Sequence, residues 1–459
     1  MDFAELKQKV LEKTPFLQRT LEHKGDSPLL NYFEENLRFS NQGSLARQNE
    51  LLGVVHRKID KLLSREIADQ AILQLRDYYY TSTADHHGPI THPFFVNSHL
   101  TQSYANQKHN LTNIFVFACS GVSLNNSSFP RGVFFHDRHL EKKRSHFISL
   151  KHRHSPVFGF PAYTEEDVEK NEDLRVQKLI QEVYKEKEVS NKTYYTEQIS
   201  RTNFTLWKKI PGQEKINLIY LSQEEIVNEL ILKYHLDTHT IITELLTNES
   251  VIKQFEKYFE GIRGALSQKE GKGTTLFWAL HEGERKKLSL KNNTLETEDG
   301  LYSVALNIDS IKAEIKTKHV MPSMALSFIV LSFYYGLTCG GGFLQVNYLS
   351  EMKKAYKKLL GHIDKTNEIN TSEKITTDYF CGEFAFAMMS NEKRIAKASS
   401  IDLILYGNKG TGIQLQELTG VCTLGEAIDQ MMPTFYQIIY GRDSAVPPPP
   451  FRHQPILYV

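Results

Sequence analysis

The sequence predicts an α/β protein with a Rossmann-like parallel-sheet core, large helical additions and a small β unit. Three observations point there. Asn113-Ile-Phe-Val-Phe-Ala-Cys119 is a short, uniformly apolar run, the composition of a strand buried on both faces. Helical periodicity fills long stretches on either side of it, from Ser44 to Tyr80 and from Glu166 onward. Between Thr274 and Ile308 the pattern changes to strand-like alternation, broken by turn-rich links such as Lys291-Asn292-Asn293 and Glu298-Asp299-Gly300.

Residues 1–80 form a helical region, because Leu51, Leu52, Val55, Ile59, Leu62, Leu63, Ile67, Ile72 and Leu75 recur at helical spacing. Residues 81–163 are the first part of the core. They open on a histidine-rich loop ending at Pro93, a residue suited to the first position of a helix over Phe94 to Tyr104. The strand Asn113 to Cys119 follows, and Gly132 to Phe135 is a second strand candidate. Ligands in open α/β sheets bind at the carboxyl ends of strands, which makes Ser120 and Gly121 nucleotide-binding candidates.

Residues 164–273 read as a mainly helical insertion, within which Ile216 to Leu221 has the character of a buried strand. Residues 274–375 hold the β unit, an apolar helix over Met324 to Tyr335, a glycine turn at Cys339 to Phe343 and a helix over Tyr348 to Ile363. Gly341 and Gly342 in that turn allow close backbone approach to a ligand. Residues 376–459 end in Pro447 to Pro450, an extended segment expected along the surface or against a neighbouring subunit of a homodimer.

Bulk composition excludes several classes. Lys plus Arg (55) balance Asp plus Glu (54), so no general attraction to nucleic acid or membrane is implied, and partners are expected to be small molecules. The most apolar run, Met324 to Leu337, is shorter than the roughly 20 residues a membrane helix needs. The N-terminus lacks the layout of a secretory signal, and the four cysteines are scattered without a CxxC pair. A reducing, cytoplasmic location is the expectation, with neither a disulfide framework nor a finger-type zinc site.

The 18 histidines are the informative residues. Asp85-His86-His87-Gly88-Pro89-Ile90-Thr91-His92-Pro93, with His99 beyond, offers three chemistries. The first is phosphate binding on Gly88 and the helix that follows, with His87 or His92 stabilising developing charge. The second is a divalent zinc or iron site built from Asp85, His87, His92 and His136. The third is acid–base catalysis by a single imidazole. Downstream, the basic stretch from His136 to His154 offers a local anion site, and Arg131, His136 and Arg138 are candidate clamps for an anionic group.

The order of these pieces resembles the bacillithiol-biosynthesis cysteine ligase family and its bacterial relatives. The resemblance rests on the His-Gly-Pro loop, on Leu276-Phe277-Trp278, on Met321-Pro322-Ser323 and on Gly340-Gly-Gly-Phe-Leu-Gln-Val-Asn-Tyr348. It implies a Rossmann-like core, ATP near the loop and formation of an amide bond. His87, Gly88, His92 and Pro93 would then border the nucleotide, and Gly341, Gly342, Gln345 and Tyr348 a second pocket. The leading expectation is a nucleotide-dependent ligase that joins an amine and a carboxylate. Its rivals are a metal-dependent hydrolase or oxygenase and a non-catalytic binding protein on the same core.

Overall fold

The computed structural model describes residues 1–168, 170–267, 270–441 and 446–459. Residues 169 and 268–269 of the expected helical insertion, and residues 442–445 of the C-terminal region, lie outside the described residues. Four strands form an all-parallel sheet: β1 (Tyr80–Ser82), β2 (Asn113–Ala118), β3 (Asn217–Ser222) and β4 (Thr338–Gly340), in the spatial order β3-β2-β1-β4. Pairing of β2 with β3 runs in register from Asn113↔Asn217 to Ala118↔Ser222. β1 pairs Ser82 with Val116 on one side and with Gly340 on the other. The chain therefore builds outward from β1 through β2 to β3, then returns to lay β4 on the opposite flank. That reversal is the switch point at which such sheets leave a crevice.

Strand side chains alternate between two cores. Ile114, Val116, Ala118, Leu218 and Tyr220 join one, whereas Phe115, Phe117, Ile219 and Leu221 join the other. The second face is covered by helices Leu45–Leu62 and Arg65–Asp77, each opened by a serine whose hydroxyl caps a free amide, Ser44 to Ala46 and Ser64 to Ile67. The first face is covered by α1 (Pro93–Lys108), α2 (Tyr195–Lys209) and the C-terminal region. α1 is buried all round, and its polar residues are held accordingly: Asn97 Oδ1 accepts from the amides of Phe386 and Ala387 at 2.8 and 2.7 Å.

One strand candidate lies outside this sheet. Gly132–His136 is a strand, but it pairs antiparallel with Lys142–His146 in a separate hairpin. The buried strand expected at Ile216 to Leu221 is present as β3 and takes the place beside β2. The β unit is present as a five-stranded sheet from Phe277–His281, Glu284–Lys291, Thr294–Thr297 and Ser303–Ala305, completed by Val320–Pro322. The apolar run after Pro322 is helical, α over Met324–Phe328 and π over Ile329–Tyr334. Among the described residues no helix is long and apolar enough to cross a membrane.

After β4 the glycine turn leads into α4 (Gln345–His362), and residues 379–383 return beside it. Gly341 N–H donates to Tyr379 O at 3.0 Å and Cys381 N–H to Gly341 O at 2.9 Å. This backbone ladder carries Glu383 from the C-terminal region to the carboxyl end of β4.

Candidate active site at the switch point

A crevice of about 320 Å³ opens over the carboxyl ends of β1 and β4. Thr83, Ala84 and His86 enter it from the end of β1, Cys119 from the end of β2, and Gln345 and Tyr348 from the start of α4. Phe94 and Phe95, in the first turn of α1, form one wall, and Met324, Phe328 and the exposed Arg263 close the opposite rim. Gln345 and Tyr348, expected at a pocket, are there. Gln345 Nε2 donates to Thr83 Oγ1 at 2.5 Å, tying α4 to the end of β1.

Glu383 is the charged group of the crevice floor. It sits at φ +68°, a left-handed conformation that is uncommon for a residue with a side chain, and its Oε2 accepts from the Phe343 amide at 2.6 Å. Burial pushes its carboxyl up to about 7, opposed by the Phe343 amide and reinforced by the Asp85 charge. Gly342 makes this possible, since a Cβ there would stand 2.0 Å from Glu383 Oε2. The glycines of the turn are therefore filled by the chain itself: Gly341 likewise faces the Gln345 side chain, 2.7 Å from where a Cβ would lie. Gly342 itself lines the crevice, whereas Gly341 packs behind it against Gln345.

Two other phosphate candidates are occupied by the chain's own groups. Gly88 is buried, a Cβ there would meet Pro130 Cα at 2.6 Å, and Asn203 clamps the loop by donating to Gly88 O (2.9 Å) and accepting from Ile90 N–H (2.8 Å). At Ser120 and Gly121 the amides do form an anion nest, but Glu224, in the first turn of α3 (Gln223–Leu230), fills it. The thiol of Cys119, 3.2 Å from Glu224 Oε1, is pushed up by burial and by that carboxylate, which rules against a thiolate nucleophile.

The histidines do not converge. Residue 86 bridges to Cys119 alongside β2 and the chain bends at residues 87–88, and the two adjacent rings part: His86 lines the crevice, and His87 packs against Tyr220. His86 faces the crevice, with Nδ1 2.8 Å from Asn126 Oδ1. His87 is fully buried, edge-on to the Tyr220 ring at 5.2 Å, neither ring nitrogen has a hydrogen-bond partner, and burial lowers its pKa to about 4. His99 pairs with Asp85 at 3.0 Å in the interior. His92 and Pro93 line a different cavity together with His136, whose Nδ1 is 2.7 Å from Asp402.

Neither arginine clamp reaches the crevice. Arg131 is buried against the Phe129 ring, and Arg138 is exposed in the hairpin turn, its carbonyl accepting from Asn391. The metal set Asp85, His87, His92 and His136 is likewise dispersed. Among the described residues the group with ligand atoms within 4.8 Å of one another is Cys422, Glu426 and His453, where Glu426 already accepts from the Thr423 amide.

Sequence reasoning missed Glu383, Arg263, Gln223 and the role of His86. Glu383 carries no motif, and only the ladder between residues 379–381 and the glycine turn brings it in. In comparison with known proteins, no family model matches the chain, and no curated protein matches it at a significant level.

Proposed function

We propose that this chain is an enzyme that takes a nucleotide in the switch-point crevice and joins an amine to a carboxylate of small molecules. The observation that carries the reading is Glu383, a carboxyl titrating near neutrality at the carboxyl ends of β1 and β4. The surroundings fit a nucleotide. Phe94, Phe95, Phe328 and Tyr348 supply flat apolar walls for a base, and Arg263 at the rim, with the positive end of α1, supplies charge for phosphates.

ATP would supply activation of the carboxylate. The chain's own task is proton handling and orientation. As the C–N bond forms, the bond from the carbonyl carbon to its activating group breaks, the leaving group departs with the electron pair, and ionised Glu383 takes the amine proton. Asn126 Oδ1 already accepts from the Ser128 amide at 3.0 Å, so it acts as an acceptor and His86 Nδ1 carries the proton. Nε2 of a neutral His86 is then left as an acceptor for a substrate N–H.

Calorimetry with ATP tests the reading. One saturable site, weakened by Arg263→Glu and retained in Glu383→Gln, is expected, together with ADP or AMP release that needs both an amine and a carboxylate and is lost in Glu383→Gln. Absence of heat and of any thermal shift with ATP or GTP overturns it.

A further inference from the structure

On the far side of Phe94 lies a second cavity, of about 710 Å³, which shares Phe94, Ser127 and Ile438 with the crevice. Its lining divides by chemistry. His92, His136, Lys142 and Lys397 contribute basic groups, while Phe134, Met388, Met431 and the segment Pro447–Phe451 contribute apolar surface. The proline segment is fixed as a wall by Gln430 Nε2, which donates to Pro449 O at 3.1 Å. Among the described residues no Asp or Glu lines the cavity. The nearby Asp402 is fully buried and pairs with one of these groups, accepting from the Ser399 and His136 amides and facing His136 Nδ1, which leaves Lys142, Lys397 and His92 for a ligand.

The lysines here differ from their neighbours. Lys143, one residue along, pairs with Asp137 and Glu141. Lys142 instead stands 4.0 Å over the Phe134 ring, and among the described residues neither it nor Lys397 has a carboxylate partner. His92 Nδ1 is buried with no hydrogen-bond partner. His92 stands at the N-terminal boundary of α1 without a side-chain capping bond, so the positive end of a 16-residue helix adds to the same field. Burial first, then the charges of Lys142 and Lys397, depress the His92 pKa, and burial lowers that of Lys397 to about 8. Among the described residues Lys142, which is exposed, and Lys397, which is half-buried, face the cavity without a carboxylate partner, and a bound anion would supply the missing counter-charge.

We propose that this cavity is a binding site for an amphipathic organic anion, its phosphate or carboxylate held by Lys142, Lys397 and His92 and its apolar body laid against Met388, Met431 and the proline wall. The assignment stands on the cavity alone and does not depend on what the crevice binds.

Phenyl phosphate, phenylacetate and phenol, titrated calorimetrically into the full chain, test it. One or both anions should bind, phenol should not, and the tighter anion identifies the acidic group. Lys142→Met with Lys397→Met should weaken that binding by at least about tenfold, the loss expected with a charge-assisted hydrogen bond, while Lys143→Met leaves it unchanged. Should the double variant fail to fold, limited acetylation of the unmodified protein decides: Lys397 should react ahead of exposed lysines and be protected by the bound anion. Equal affinity for phenol, unchanged affinity in a folded double variant, or acetylation of Lys397 indifferent to either anion overturns the proposal.

Discussion

The Glu224 carboxylate occupies the amide nest at the end of β2, accepting from Ser120 N–H at 2.8 Å, Ser120 Oγ at 2.7 Å and Gly121 N–H at 3.2 Å. A sequence of strand, Ser and Gly is the composition of a phosphate-binding loop, yet here the anion is a side chain from the first turn of the helix after β3. The nest thereby locks β2 to β3 instead of taking a ligand.

Removing that carboxylate should expose both roles. Glu224→Ala leaves buried donors unpaired, each worth about 1–3 kcal/mol, and should lower the melting temperature by several degrees. Inorganic phosphate should restore part of the loss in the variant and do little to the native chain. Equal phosphate stabilisation of both proteins would show that the nest is open in the native fold.

Gly88 separates two meanings of a glycine. If it exists for phosphate contact, Gly88→Ala weakens ATP binding and spares the fold. The 2.6 Å approach to Pro130 Cα predicts the reverse: overpacking against backbone costs about 1–3 kcal/mol, seen as a lower denaturation midpoint, with ATP affinity of the folded fraction unchanged.

His87 gives the opposite sign. A buried imidazole with no partner for either nitrogen carries an uncompensated desolvation cost of about 1–3 kcal/mol per polar group. His87→Leu should hold or raise the melting temperature and leave turnover intact. A large loss of turnover with normal stability would mean that a ligand reaches the ring.

The fold was legible because its signals are local or periodic. The apolar run from Asn113 marks β2, Pro93 marks the start of α1, and turn residues mark the β unit. The site was only half legible. Gln345 and Tyr348 lie next to the glycine turn in sequence and were found there. Glu383 was not, since its placement depends on a ladder to Gly341 formed by residues about 40 positions downstream. The histidine loop misled for a physical reason: the chain pairs with Cys119 at residue 86, bends at residues 87–88 and turns at residues 90–91, so rings that crowd in sequence face the crevice, the interior and the second cavity.

Glu383 makes the pH dependence specific. Its folded pKa of about 7 lies above the ordinary value of 4.5, so the native state holds the proton more tightly than the unfolded chain. The associated stability is fully present below about 4.5 and is lost as the pH rises through about 7. Melting temperatures should fall across that window, and Glu383→Gln should remove this component of the slope. Catalysis needs the ionised form, so turnover should rise through about 7, and Glu383→Gln should cut it by roughly 10²–10⁴ while ATP still binds. Asp85→Asn offers the finer test. It deletes a charge that raises the Glu383 pKa without touching the crevice lining, so the acidic limb of the rate profile should move to lower pH. A limb that stays in place would mean that a group other than Glu383 sets the profile.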